Sequence, residues 1–267
     1  LIHQSFGSSI ISRSSGVDEQ TFPVARSIGK ITLEKLKPLD IQRYYTRKLQ
    51  HGRHDGSGGL SARSVLHHHR LLHKALEFAV KWQLIPKNPA KSVMPPKPRQ
   101  KNINVLTKSQ IHKVLHHMTN QTMYEIVYFA IQTGMRRSEI FGLRWQDVNF
   151  TTQTICIRYT LHYHKNIGYR LRETTKTKGS RRTLAISQSV MNLLQQIKQR
   201  QMKDKEKLGV AYSDLDLVFA RPSGRPLDMN NISYDFSQLV KQLDVPYVHF
   251  HSLLHCHASL LYNSGAS

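Results

Sequence analysis

The run TGMRRSEIFGLRWQDVNF holds the residues best placed to act on an anion. Gly134 closes one helix, two arginines open the next, and Glu139 follows Arg136 by three positions. An arginine at such an opening joins free backbone N–H groups and the positive end of the helix dipole, which together suit a phosphate oxygen. The same spacing also fits a plain surface pair, with Arg136 and Glu139 meeting on an exposed helix face. Further along, TTKTKGSRRTLAI gathers Lys176, Lys178, Arg181 and Arg182 around a turn at Lys178 and Gly179, a solvated basic turn able to bind phosphate. His249, His251, His255, Cys256 and His257 then crowd together with groups that zinc accepts. On a helix only His251 and His255 share a face, so four ligands do not converge and no metal site is assigned.

The charge balance agrees with a phosphate-bearing partner. Lysine and arginine number 39 against 17 acids, a formal net charge of +22, and each cation that meets a phosphate releases condensed counterions. The blander reading of the charge is a generally basic surface or a ribosomal-type protein, and specific work on nucleic acid is favoured over it. With 267 residues and 39% apolar content the chain can bury one large core or two modest ones. The two cysteines, Cys156 and Cys256, form no CxxC pair, as expected of a reducing compartment. No run approaches the roughly 18 apolar residues of a membrane helix, and the start, LIHQSFGSSIISRSS, lacks the pattern of a signal peptide. A cytoplasmic protein without a membrane partner is therefore expected. The chain begins without methionine and stops at NSGAS, which leaves truncation at either end open.

The elements that position these residues follow from periodicity. Residues 1–29 are serine-rich without helical or strand period, and read as a poorly ordered lead. Pro38 opens an amphipathic helix, HGRHDGSGG reads as a flexible connection, and a long helix resumes after Ser61. Its apolar face is Val65, Leu72, Leu76, Ala79 and Val80, with Arg63, Arg70 and Lys74 projecting elsewhere, and His67, His68, His69 and His73 as a solvated flank. Residues 30–92 thus make a helical domain. PKNPAKSVMPPKPRQKNINV is basic and proline-rich and reads as an extended connection, with residues 93–105 as the linker and residues 106–267 a second domain. In the latter, helices capped by Thr107 and ended by Gly134 precede TICIRYTLHY as a strand, YRLRETTKTKGSRRTLAI as two strands joined by the basic turn, a helix over 187–207, a short strand DLVFA and two more helices. The fold class is mainly α with a small antiparallel β-sheet.

T-G-x-R-x-S-E followed by L-R-W-x-D is similar to the first-arginine box of the tyrosine recombinases of the phage integrase family. TTKTKGSRRTLAI resembles that family's basic hairpin, and HFHSLLHCHASLLYNSGAS its helix beginning H-x-L-R-H. KLKPLDIQRYYTRKLQ and HKALEFAVKWQLIPKNPAKSVMPPK look, less sharply, like its helical core-binding domain. The resemblance implies a core-binding domain at 30–92 and an integrase-type catalytic domain at 106–267. It also implies site-specific recombination through a 3′-phosphotyrosyl intermediate, without metal or nucleotide cofactor. Arg136, Lys176 and His251 are the implied catalytic residues, with Glu139 orienting Arg136. Turn length leaves Lys178 as the second choice for the hairpin lysine, whose ammonium would offset charge and protonate the leaving oxygen. The implied partner is duplex DNA, with four protomers assembled on it. Arg63, Arg70, Lys74, Lys178, Arg181 and Arg182 are the candidate DNA contacts.

Two departures shape the functional expectation. Where the family pattern has its second arginine, this chain has Leu254, which cannot neutralise a phosphate oxygen. Loss of one such cation lowers the rate of phosphoryl transfer by orders of magnitude. The nucleophilic tyrosine expected beyond this helix is missing from the printed chain, and Tyr262, in the apolar LLY run, reads as a packing residue. DNA binding without catalysis is therefore expected. The alternatives are a non-catalytic protein occupying recombination sites and a decayed integrase remnant.

Overall fold

A computed structural model describes residues 27–53, 55–99, 104–173 and 181–263, which divide into two compact units on either side of residues 100–103.

In the first unit, helix α1 (Pro38–His51) opens on proline, with the Asp40 carboxylate accepting the Lys37 N–H at 3.0 Å. Helix α2 (Ala62–Lys81) starts where Ser61 Oγ accepts the Ser64 N–H at 3.1 Å. Ile41, Tyr44 and Tyr45 of α1 pack with Val65, Leu72, Leu76 and Ala79 of α2, while Val80 is only half-buried. Arg63, Arg70 and Lys74 are exposed on α2.

Three expectations change here. The glycine-rich connection folds back on α1, with Leu60 N–H donating to the Lys48 carbonyl at 2.7 Å and Arg53 N–H to that of Gly58 at 3.0 Å. The proline-rich stretch is not extended throughout, since Pro89–Ser92 forms a 3-10 turn and Ala90 and Val93 join the core. The histidines are not a uniformly solvated flank. Tyr44 Oη bonds His68 Nδ1 at 2.8 Å and Tyr45 Oη bonds His69 Nδ1 at 2.9 Å, because buried phenols need partners and the next helix presents imidazoles at matching positions. Burial pushes the Tyr44 phenol up to about 12 and lowers both histidines below the usual imidazole range.

The second unit is built around α4 (Gln121–Thr133), apolar on most of its circumference and buried at Met123, Ile126, Val127, Phe129, Ala130 and Ile131. It is preceded by α3 (Lys108–His116), capped reciprocally by Thr107 and Gln110. Helix α5 (Arg137–Phe141) follows. Among the described residues five strands come next: β1 (Val148–Asn149), β2 (Thr154–Ile157), β3 (Tyr159–His164), β4 (Gly168–Glu173) and β5 (Arg182–Ala185). Then come α6 (Gln188–Leu208), α7 (Met229–Gln242) and, after a 3-10 turn at Phe250–Ser252, α8 (Leu253–Asn263).

The described strands form two antiparallel sheets rather than one: β1-β2-β5 and β3-β4. TICIRYTLHY is two strands broken at Arg158, and the strands flanking the basic turn are not partners. β5 pairs with β2 (Ile155 opposite Leu184) and β4 with β3 (Leu161 opposite Leu171). The reason is local: β3 and β4 close a hairpin over a short turn, nested inside the longer β2–β5 pairing. DLVFA is buried at Leu217, Val218 and Phe219, yet makes only isolated bridges, from Leu217 to Arg144 and from Ala220 to Pro226. Tyr262 does not pack: it is 84% exposed. Among the described residues no helix is long and apolar enough to cross a membrane.

Candidate phosphate-binding site

The site begins where α4 ends. Gly134 takes the left-handed conformation (φ 58°), and a Cβ there would lie 2.3 Å from the His257 ring of α8. His257 Nδ1 bonds the Ile131 carbonyl at 2.8 Å, and Cys256 Sγ, fully buried, accepts the Leu106 N–H at 3.3 Å. Helix α8 is thereby seated on the end of α4, at the point where the chain turns into Arg136.

Arg136 stands just ahead of α5, and the Glu139 carboxylate turns back to accept its backbone N–H at 2.9 Å. One of the N–H groups expected to cradle an anion there, that of Arg136 itself, is thus occupied by the protein's own carboxylate. Nor is the pair a plain surface contact, since Glu139 is 3% exposed. It takes a further bond from Arg136 Nη1 at 2.8 Å and two from Arg182 of β5, Nη1 at 3.1 Å and Nη2 at 2.8 Å. Burial alone would raise this carboxyl, but the Arg182 and Arg136 hydrogen bonds outweigh it and hold the group below the ordinary glutamate range. Two guanidiniums on one carboxylate leave a net positive charge. The Arg136 side chain is 60% exposed and most of its N–H donors remain available to a phosphate.

Arg137, the neighbour of Arg136, faces inward, with Nη1 donating to Ser233 Oγ at 2.8 Å and tying α5 to α7. Arg181 is exposed and pairs with Glu173, which brings together the two ends of segment 174–180. Lys176 and Lys178 lie in that segment, outside the described residues. His251 is exposed in the turn before α8, its ring 6.2 Å from that of His255, and it makes no hydrogen bond to the arginine cluster among the described residues. Leu254 is half-buried on the first turn of α8. Among the described residues no three histidine, cysteine or acidic side chains are grouped to hold a metal.

The direct grouping is therefore Arg136, Glu139 and Arg182. Sequence reasoning assigned Arg182 to DNA and did not find its bond to Glu139; the available signal was that a buried carboxylate rarely survives on one exposed arginine. A second pair also went unseen. Glu125, 2% exposed, accepts both Arg200 Nη1 and Nη2 at 2.6 Å, in a cleft of about 280 Å³ between α4 and α6.

Residues 104–267 match the model of the phage integrase family. The chain is similar to a tyrosine recombinase XerC-like protein of Caldanaerobacter subterraneus, 27% identical over 86% of this chain and 61% of the relative. It is also similar to the integrase of Staphylococcus phage L54a, 34% identical over 48% of this chain and 37% of the relative. The transposase from transposon Tn916 of Enterococcus faecalis is 24% identical over 89% of this chain and 59% of that protein. The chain thus spans about three-fifths of the length of the curated relatives that it matches over most of its own length. Among solved structures, the Tn1549 transposon integrase in complex with a circular intermediate DNA superposes with a TM-score of 0.74 at 20% identity, covering 98% of this chain and 87% of the other. A lambda integrase tetramer bound to a Holliday junction gives a TM-score of 0.55 at 19% identity, covering 96% and 70%.

Proposed function

Since the chain belongs to the phage integrase family, we propose that it acts on duplex DNA at the recombination sites of a mobile element, with Arg136 holding the target phosphate. The observation that carries this reading is the Glu139 carboxylate. Buried and bonded to both arginines, it fixes Arg136 while leaving most of that guanidinium open to solvent. Lys176, on the segment between β4 and β5, is the proposed acid for the leaving oxygen, and His251 a further phosphate ligand. In the complete reaction a tyrosine attacks the phosphate, the P–O bond to the leaving 5′ oxygen breaks, and that oxygen takes the proton. No metal or nucleotide cofactor is part of the proposal. The relatives' names, integrases and transposases of phages and transposons, support the mobile-element reading. The lambda integrase tetramer supports assembly of several protomers on DNA. The two units are the proposed core-binding and catalytic domains, with Arg63, Arg70 and Lys74 contacting DNA from the first.

Leu254 favours a second reading, occupancy of such sites without efficient cleavage. A leucine at the position of the family's second arginine withholds one cation from the phosphoryl transition state, a loss of about a thousand-fold or more in rate.

The test is a gel-shift titration of the full chain against DNA flanking its own coding sequence, compared with random duplex. Wild type should prefer one flanking site, and Arg136→Ala should weaken that binding by at least about tenfold, the loss of one charged phosphate contact. Equal affinity of wild type and variant would remove Arg136 as the phosphate ligand.

A further inference from the structure

Between β2 and β5 the chain makes an excursion that the three-stranded sheet does not use. β3 and β4 pair only with each other, from Tyr159 opposite Glu173 to His164 opposite Gly168. Alternation places Tyr159, Leu161, Tyr163, Tyr169, Leu171 and Glu173 on one face, and Thr160, His162, His164, Arg170 and Arg172 on the other.

The first face is anchored. Leu161 is 2% exposed, and Tyr169 and Leu171, partly buried, pack against the core of the second unit. A Cβ on Gly142 would meet the backbone of Leu161 and Thr160 at 2.8–2.9 Å, so the hairpin root lies directly against the residue that ends α5. That helix carries Glu139. The hairpin is therefore fixed to the same short element that orients Arg136.

The second face carries cations and no carboxylate. Arg170 is exposed and makes no hydrogen bond or ion pair among the described residues. Arg172 Nη2 donates to His164 Nε2 at 2.9 Å, which steers the guanidinium along the strand and leaves its other donors open. Thr160 Oγ1 donates to the Arg172 carbonyl at 3.2 Å and bonds His162 Nε2 at 2.9 Å, bracing the same strand pair. Lys165 is exposed in the turn at the tip. Two residues apart on one strand, Arg170 and Arg172 have backbones about 7 Å apart, enough to reach separate phosphates. The face offers no apolar centre for a protein interface.

We propose that the outward face of the β3–β4 hairpin is an additional DNA-backbone contact, in which Arg170 and Arg172 each bind a phosphate of the duplex held at Arg136. It rests on the DNA-binding reading above and adds a contact outside that site. The full chain is titrated by fluorescence anisotropy against a labelled random-sequence duplex from about 50 to about 200 mM salt. Removing two phosphate contacts in Arg170→Gln/Arg172→Gln should reduce the steepness of log K against log salt by about 1.8, while Arg170→Lys/Arg172→Lys should keep it. Should circular dichroism show the double glutamine variant misfolded, Arg170→Gln alone, whose side chain has no bond to lose, should reduce it by about 0.9. Wild-type binding with an unchanged salt slope in the glutamine variants overturns the hairpin contact and leaves the functional reading standing. Failure of wild type to bind duplex overturns both.

Discussion

Replacing Arg182 by alanine isolates what the buried carboxylate requires. The change removes two of the four hydrogen bonds to Glu139, leaving the Arg136 side chain and backbone N–H. Stranding a buried charge costs about 3–5 kcal/mol. Here Arg136 remains and the Arg182 side chain is 31% exposed, so the expected loss at pH 7 is nearer ~2 kcal/mol. The pH dependence is the sharper signature. In the wild type the folded-state carboxyl lies below its unfolded value, so its stabilising contribution is present above about pH 4.3 and is lost as pH falls through the folded value. In the variant burial acts with less opposition, the carboxyl rises, and taking up a proton relieves the penalty. The destabilisation by Arg182→Ala should therefore be largest at pH 6–7 and shrink toward about pH 4. Urea unfolding followed by Trp145 fluorescence in a Trp82→Phe background reads the second unit alone. Arg182→Lys should recover part of the loss, a point charge without the two-pronged geometry. A loss under about 0.5 kcal/mol at pH 7, or one equal at both ends of the range, would refute the reasoning.

Leu254→Arg should tighten duplex binding and steepen its salt dependence by about 0.9 if position 254 faces phosphate, measured by the same anisotropy titration; no change would place it away from DNA. Tyr44→Phe should destabilise the first unit by about 1 kcal/mol through the lost bond to His68, read by Trp82 fluorescence during urea unfolding. In the wild type the lowered His68 and His69 make that unit lose stability as pH falls through the unfolded imidazole value of about 6.5, because the unfolded chain then binds more protons; a flat profile between pH 7 and 5 would contradict it. Gly134→Ala should cost about 2 kcal/mol or more in the thermal or urea unfolding of the second unit, since it strains a positive φ and drives a methyl into the His257 ring.

What the sequence disclosed was what lies close along the chain. Gly134, Arg136 and Glu139 were legible because a left-handed stop, a helix opening and a carboxylate three residues on are one local geometry. Arg182 was not, because it reaches Glu139 across 43 residues through the β2–β5 pairing. The break in TICIRYTLHY was hidden for a related reason: alternation runs through Arg158 unbroken, and only the choice of partner strand separates β2 from β3. The tyrosine–histidine bonds join two helices whose individual patterns are ordinary, so nothing in either pattern reveals them.

The same division between local and distant governs the charge. A net charge of +22 predicts a polyanionic partner, but not which cations meet it. The buried carboxylates Glu125, Glu139 and Asp147 each lie against an arginine, Arg200, Arg182 and Arg158 respectively, over distances of 2.6–3.2 Å. An acid that is buried must have such a partner, so burial commits part of an arginine's donors to internal work, while Arg136, bonded to the same Glu139 and 60% exposed, keeps the rest open to phosphate. Arg182, counted from sequence as a DNA contact, is one of these, whereas Arg170, which drew no notice in the sequence, is exposed on a face without carboxylates. In a chain with few acids, the location of each buried carboxylate therefore decides how many of each arginine's donors are left to bind phosphate.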